Sequence, residues 1–596
     1  MRNGRIRVRR RALALLIVGV VAVVFAVRLF DLQVVQAPKL NADAKDKRAV
    51  PVSIPSVRGD IVDRNGDVFA TTDERYDVQL SPKNTVLNGG RFYRPVSPGS
   101  AATVEVTSKE AFAEIGAITG QKPEEIQKIV DDALAKNKKS DFAYVKRSVD
   151  LVALKKLKDL GIPWLTFDTA YSRVYPSGAV AGNIVGFSGS DGKPQAGIEI
   201  SQNSCLTGKD GSEVYERGAD GVALPGSVVV TQQAVNGGTV KLTLDRDLSW
   251  QAQEIINKQV ADVGAEWGYL VIMNAKTGEL VAVAENNSVD PNNVDGSPNR
   301  EARSFTSPYE PGSTFKSITA SALIDQGKAT PVTPNLTPSH WEPEPNVQFS
   351  DSFVHPPEQW TLNGIMVHSS NVGISMLGNQ LSPAVRYSYL QKFGIGQSTK
   401  AGMPLEDSGL LNPPDKWDRQ TAYNTMFGQG LSSTIVQTAG VYQALANGGV
   451  RIPPTLVQSC TSANGDVKKP DHGKPVRAVS EKTASTMMGM LESVVQEGWI
   501  KPYLEIPGYR IAGKTGTAEE VDPATGRYRT DYVHSFAGIF PADDPQYVAV
   551  ASVAFPSSGD GGIAAMTAFR NAAEATIRTF HIPPSKGAYK PIPTDY

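Results

Sequence analysis

The chain has 596 residues, 40% hydrophobic and 20% charged, the balance of a folded globular protein with ample core and length for more than one domain. Its formal net charge is -1 with no long run of one sign, which gives no electrostatic case for a nucleic-acid partner. The two cysteines, Cys205 and Cys460, match no zinc or redox spacing and read as unpaired packing residues; the six histidines are scattered, so neither a metal nor a cofactor is expected.

Arginines at 2, 5, 7, 9, 10 and 11 precede an uncharged run from Ala12 to Val27, and past Arg28 the apolar character continues to Val35. A bilayer-spanning helix needs about 20 apolar residues, and a flanking arginine can snorkel to the interface. Residues 12–35 therefore read as a membrane anchor behind a basic tail, 1–11. The arginines place the N-terminus in the cytoplasm and the rest of the chain outside. The rival is a cleaved signal peptide, with Val24-Phe25-Ala26 as the cleavage site, but the apolar run is long for that and passes Arg28.

Residues 37–55 read as a linker, polar and then extended. The Asn65-Gly66 turn opens a hairpin, and helices are expected over Lys109–Lys139, broken near Thr119-Gly120, and over Val152–Leu160. No catalytic constellation appears before residue 220, so 37–220 reads as a pedestal or docking domain, and the Gly-rich stretch 218–240 as a hinge. Residues 240–581 alternate differently. A helix from Leu248 to Val263 is followed by strands at 269–274 and 279–285. A helix starts at Ser313, then comes a Pro-rich loop over 329–359 and helices near Asn371, at Thr434–Asn447 and at Lys482–Gln496. Strands return at 509–518, 534–540 and 547–555 before an amphipathic helix at 563–579. Strands at both ends of a helical middle predict an α+β domain with one antiparallel sheet. The tail 582–596, with four prolines and no core, reads as disordered.

The segment Pro311-Gly312-Ser313-Thr314-Phe315-Lys316 places a serine after a turn signal and a lysine three residues on, on the same helical face. A lysine one turn from a serine can take its proton if burial and a second cation lower its pKa. Ser-x-x-Lys is a weak pattern, and Ser190-Asp191-Gly192-Lys193 also matches it. Ser369-Ser370-Asn371 and Lys514-Thr515-Gly516-Thr517 are as weak alone. Decoys are Ser201-Gln202-Asn203, Ser297-Pro298-Asn299, Ser462-Ala463-Asn464 and Lys276-Thr277-Gly278. Only one ordered triple puts Ser-x-x-Lys at a helix start, Ser-x-Asn entering a helix and Lys-Thr-Gly on a strand: Ser313/Lys316, Ser369/Asn371 and Lys514/Thr515/Gly516.

That triple resembles the penicillin-interacting serine acyltransferases, and its flanks resemble the class B penicillin-binding proteins, monofunctional D,D-transpeptidases of peptidoglycan synthesis. Tyr309-Glu310, Phe427-Gly428-Gln429-Gly430 and Phe536-Ala537-Gly538-Ile539-Phe540-Pro541 are similar to segments of that catalytic domain. Arg58-Gly59, Asp63-Arg64-Asn65-Gly66, Arg173-Val174-Tyr175-Pro176 and Gly197-Ile198-Glu199 are similar to its pedestal. The resemblance spans about residues 12–580 in order. It implies a transpeptidase domain, an antiparallel sheet flanked by helices, on an elongated mixed α/β pedestal with one membrane helix.

The resemblance also implies roles. Ser313 is the nucleophile on a D-Ala-D-Ala stem peptide and Lys316 its base. Ser369 and Lys514 relay a proton, and Asn371 holds Lys316 and the substrate amide. Lys514, Thr515, Gly516 and Thr517 bind the terminal carboxylate region, and the amides of Ser313 and Thr517 form an oxyanion hole. Implied partners are peptidoglycan strands or their lipid-linked precursors, β-lactams, a polytopic membrane glycosyltransferase, and proteins of the division or elongation machinery. The look of the pedestal favours division. Alternatives are a D,D-carboxypeptidase and a β-lactam-binding sensor or scaffold without turnover. A class A β-lactamase is disfavoured, because Glu406-Asp407-Ser408-Gly409-Leu410-Leu411-Asn412 lacks the spacing of a deacylating loop.

Overall fold

The computed structural model describes residues 2–596 except 98–99, 190, 217–223, 225, 298 and 523–526, and leaves out the side chains of 2–6 and 521–522. Ser190 of the first decoy, Pro298 of another and part of the 218–240 stretch therefore lie outside the described residues. Packing divides the chain into two units, Met1–Val57 with Gly208–Gly237, and Arg58–Thr207 with Gly238–Tyr596. The expected pedestal, 37–220, is thus shared between the two.

In the first unit a helix at Arg2–Phe30 runs on as a π-helical turn, Asp31–Val35. The stretch Arg7–Val35 is long and apolar enough to cross a bilayer, and none of it is buried. Residues 37–55 are not simply a linker. Ala37–Arg48 is helical, in keeping with its Ala, Lys and Leu content, and ends on Lys45, Lys47 and Arg48, the charge that suits a helix C-terminus. The strand Ala49–Ile54 then pairs antiparallel with Gly211–Glu216, which pairs with Val229–Gln232. The described part of the 218–240 stretch therefore contains a strand.

In the second unit a sheet runs from Val467–Lys468 through Val457–Thr461, Thr239–Leu242 and Ile61–Val62 to Val68–Leu80 and Ala143–Val149. The pairing of Ile61–Val62 with Val240–Lys241 is parallel and joins early pedestal residues to the catalytic half. The ladder continues from Thr239–Leu242 to Val457–Thr461, with Val240 opposite Cys460, while Gly238 N donates to the Cys205 carbonyl. The two cysteines meet there as a disulfide, their Cα atoms 6.1 Å apart across 255 residues. This corrects the expectation that both are unpaired. A separation so large leaves no local signal of pairing.

The catalytic half is built on five antiparallel strands in the order Leu280–Glu285, Trp267–Asn274, Tyr547–Ala554, Val533–Phe540, Ala512–Ala518. The inner strands are buried on both sides because helices cover both faces. Arg246–Val263 packs with Gly561–Phe580, and Ile435–Ala446 packs against the inner strands, joined by Glu481–Glu497 and Lys316–Asp325. The 329–359 stretch is not one loop. It holds strands at Pro334–Thr337, His340–Glu344 and Val347–Ser350, and Pro334–Thr337 pairs with Glu358–Thr361.

The tail 582–596 is not disordered. Ile582 is buried, Tyr509 OH donates to its carbonyl, Tyr589 OH donates to Ser493 Oγ at 2.9 Å, and Tyr596 N donates to the Gln359 carbonyl. Its prolines suit an extended segment whose partners lie far away in sequence.

Candidate active site

Gly312–Phe315 is a 3-10 turn that leads into the helix Lys316–Asp325. The turn needs its glycine. Gly312 has φ +54°, and a Cβ there would sit 2.5 Å from the Thr517 carbonyl oxygen. Gly428, at φ +84°, supports it from behind, since its carbonyl accepts from Gly312 N and its own Cβ would meet the Gly312 carbonyl oxygen at 2.1 Å. Tyr442, fully buried on Ile435–Ala446, donates to the Thr314 carbonyl at 2.9 Å. Backbone and tyrosine together leave the Ser313 hydroxyl at the wall of a cleft of about 1070 Å³.

Lys316 is fully buried. Its Nζ donates to Ser313 Oγ at 2.8 Å, to the Ser369 carbonyl at 2.5 Å and to Ser369 Oγ at 3.3 Å. Lys514, also fully buried, reaches the same Ser369 Oγ at 2.8 Å from the edge strand and contacts Thr515 Oγ1 at 3.2 Å. Ser313, Lys316, Ser369 and Lys514 thus form one chain of polar contacts, drawn from a turn, a helix, a loop and a strand.

Burial pushes the Lys316 ammonium well below its usual range; the Lys514 charge lowers it further, and the Asp351 carboxylate opposes both. Burial also brings Lys514 down to about 7. Both lysines thereby give up their protons more readily than a free lysine.

Ser369 has φ +58°, an uncommon conformation for a residue with a side chain. Its neighbours hold it there: Ser370 N donates to the Ile365 carbonyl, and Ser370 Oγ caps the helix Asn371–Gly378 by accepting from Gly373 N at 2.8 Å.

Thr515, Gly516 and Thr517 line the cleft. Gly516 is packed so that a Cβ would lie 2.9 Å from the Pro311 carbonyl oxygen, which lets the strand approach the Ser313 turn. Asn371 lines the cleft too, but its amide donates to the Ser350 carbonyl at 3.2 Å. Lys316 donates to the Ser369 carbonyl, and among the described residues no hydrogen bond joins it to Asn371. Asn371 begins the helix that Ser370 caps.

Sequence reasoning missed Asp351. Its carboxylate accepts from Ser370 Oγ at 2.7 Å and Val372 N at 3.0 Å, and it faces His355 Nε2 at 3.0 Å. It sits in the stretch read as a Pro-rich loop, where only its nearness to Ser369 in space gives it a part. Glu310 lies three positions before Ser313 in the sequence. It accepts from Gly430 N at 3.0 Å and Tyr528 OH at 3.2 Å, and burial raises its carboxyl to about 7.

The decoy Lys276-Thr277-Gly278 is a turn whose amides are held by Asn274, and none of its residues lines the cleft. Among the described residues no group of three or more His, Cys, Asp or Glu is arranged to hold a metal.

Comparison with known proteins decides the family. Residues 268–574 match the penicillin binding protein transpeptidase domain, and residues 53–242 match the penicillin-binding protein dimerisation domain. The chain belongs to the penicillin-binding protein transpeptidase family.

Among other members of the family, the chain is 36% identical to penicillin-binding protein PbpB of Mycolicibacterium smegmatis over 98% of its length and 92% of that protein's. It is 28% identical to the Escherichia coli peptidoglycan D,D-transpeptidase FtsI, over 94% of its length and 89% of that protein's. In structure it resembles penicillin binding protein 3 of Mycobacterium tuberculosis complexed with ampicillin, with TM-score 0.69 and 29% identity, covering 91% of this chain and all of that one. A peptidoglycan synthetase from Bifidobacterium adolescentis is similar at TM-score 0.72 and 27% identity, with 92% and 100% covered. The penicillin-binding fold thus extends over the pedestal as well as the catalytic half.

Proposed function

We propose that this protein is a serine-type peptidoglycan D,D-transpeptidase, anchored by its N-terminal helix with the catalytic half outside the cytoplasm. The observation that carries the reading is Lys316 Nζ, fully buried and 2.8 Å from Ser313 Oγ. Lys316, unprotonated, takes the Ser313 proton as Oγ attacks the penultimate D-Ala carbonyl of a stem peptide. The amides of Ser313 and Thr517 receive the oxyanion, a pairing favoured by the close approach of the Gly312 turn to the Thr517 carbonyl. The proton passes through Ser369 Oγ, which both lysines contact, to the leaving D-Ala nitrogen as the C–N bond breaks. Protonated Lys514, with Thr515 and Thr517, receives the substrate's terminal carboxylate. An amine of a second stem peptide then attacks the ester, gives up a proton and releases Ser313.

A β-lactam acylates Ser313 in the same way and stays. Glu406 supports slow release, because its carboxylate accepts from Thr399 Oγ1 and the amides of Lys400, Gly402 and Met403 in its own loop, and it does not line the cleft. The Cys205–Cys460 disulfide favours an oxidising compartment, in keeping with a cytoplasmic N-terminus and an outer catalytic half.

Labelled penicillin followed by peptide mapping tests the assignment. The label is expected on Ser313, stable for many minutes and absent in Ser313→Ala; a label elsewhere, or one lost within minutes, overturns it. Cross-linked product from a lipid-linked substrate separates transpeptidation from hydrolysis to a carboxypeptidase product. Site-directed cross-linking through the membrane helix tests for a polytopic glycosyltransferase partner, and a fluorescent fusion tests placement at the septum.

A further inference from the structure

The segment that delivers Ser369 is braced by the far end of the chain. Strand Glu358–Thr361 pairs on one side with Pro334–Thr337. On the other side lies the C-terminal tail: Trp360 bridges antiparallel to Asp595, Thr361 N donates to the Thr594 carbonyl at 2.8 Å and Tyr596 N donates to the Gln359 carbonyl at 3.2 Å. Side chains add to it. Thr361 Oγ1 donates to the Pro593 carbonyl at 2.7 Å, and buried Asn363 donates to the Ile592 carbonyl at 2.9 Å.

The helix Leu362–Val367 starts under this clamp. A Cβ on Gly364 would lie 2.0 Å from the Thr594 carbonyl oxygen, so the position must be glycine for the tail to seat. The carbonyls of Gly364, Ile365 and Met366 accept from the amides of His368, Ser370 and Ser369 in turn. Hydrogen bonds thus lead from the Thr594 carbonyl to Thr361, through the Thr361 hydroxyl to Gly364 N, and from that helix to the segment of Ser369, whose φ of +58° is uncommon for a residue with a side chain.

The geometry points to residues 592–596 as a positioning segment for the reaction, one that holds Leu362–Ser370 so that the Ser369 carbonyl and hydroxyl meet Lys316 and Lys514. The inference rests on the proposed acylation of Ser313. The tail touches no reacting atom, and acts through the Ser369 carbonyl, which accepts from Lys316. Lys316 is faced by Lys514 from the edge strand and by Asp351 from the segment before Ser369. The carbonyl favours the protonated lysine, so displacing it lowers the Lys316 pKa.

The test uses the full-length chain in detergent, truncated after Pro591, with labelled penicillin as probe. Acylation is expected to fall at least ten-fold, its acid limb to move to lower pH, and both to recover on adding a synthetic peptide of residues 588–596. An unchanged rate overturns the inference. So does a slower rate with the wild-type pH profile, which is what mere destabilisation produces. If the truncated chain does not fold, Gly364→Ala breaks the contact between the tail and the helix Leu362–Val367: the same loss and the same displaced limb support the inference, and a wild-type rate or profile overturns it. Absence of label on Ser313 in the intact chain would instead sink the functional reading, so the two failures are distinguishable.

Discussion

Ser370 Oγ donates a 2.7 Å hydrogen bond to Asp351 Oδ2, a carboxylate nineteen positions earlier that also accepts from Val372 N. One buried charge thereby ties the middle of the Ser369-Ser370-Asn371 motif to the helix it begins, and lies near enough to raise the Lys316 pKa against burial and Lys514. Asp351→Asn removes that charge. The acid limb of penicillin acylation is expected to move to lower pH, because Lys316 loses a group that favoured its protonated form. The rate should fall about ten-fold as the cap loosens, a cost near 1.4 kcal/mol. Lys514→Gln removes a like charge, so it should move the same limb to higher pH. A stopped-flow pH profile of acylation reads both, and equal shifts in the two variants would contradict the electrostatic account.

Lys514, brought to about 7 by burial, is a cation below that pH and neutral above it. Recognition of the substrate's terminal carboxylate should therefore weaken as pH rises through about 7, seen as an alkaline limb in kcat/KM for acylation. Lys514→Arg stays charged and is expected to carry that limb upward, out of the measurable range.

Stability follows the opposite sense. An unfolded lysine keeps its proton up to about 10.4, so between about 7 and that value the unfolded chain binds more protons and folded stability rises with pH. Lys514→Met should therefore stabilise the fold at pH 7, by about 4 kcal/mol at most, while losing activity. Thermal unfolding at pH 7 and pH 10 checks this; the gain should shrink at the higher pH.

The Cys205–Cys460 bond closes a loop of about 255 residues across the pairing of Thr239–Leu242 with Val457–Thr461. In the chain-entropy view such a loop contributes about 5 kcal/mol through the unfolded state. Cys205→Ser with Cys460→Ser should lower the unfolding midpoint by several degrees. Penicillin labelling at low temperature should persist, since neither cysteine lines the cleft. Calorimetry with and without reductant on the native chain reads the same difference.

Gly428→Ala puts a methyl group where the Gly312 carbonyl stands and demands φ +84° of a residue with a Cβ. The Ser313 turn should shift and acylation should drop at least ten-fold. Gly440→Ala, on the helix Ile435–Ala446 with open space at its Cβ, should leave labelling near wild type.

Most secondary structure was legible because it rests on local rules. The helix Pro123–Lys136 matches its periodicity, Thr434 caps its helix through a capping box with Gln437, and Asn65-Gly66 turns its hairpin. Misreadings fell where long-range contacts decide. The tail 582–596 has no periodicity and is ordered by hydrogen bonds to residues as distant as Gln359. The stretch 329–359 holds strands too short to declare themselves among prolines.

What the sequence by itself determined is the family and the order of its three motifs. The order of Ser313-x-x-Lys316, Ser369-x-Asn371 and Lys514-Thr515-Gly516 is a property of the chain, as is the apolar run after its arginines. Tertiary structure alone decided how those groups meet. It put Lys316 and Lys514 on one hydroxyl, set the Ser369 carbonyl against Lys316, brought Asp351 beneath the motif and joined Cys205 to Cys460. The reason is physical: pKa values and hydrogen-bond partners depend on burial and on distances of a few ångströms, and those are set by packing between segments that no local pattern relates.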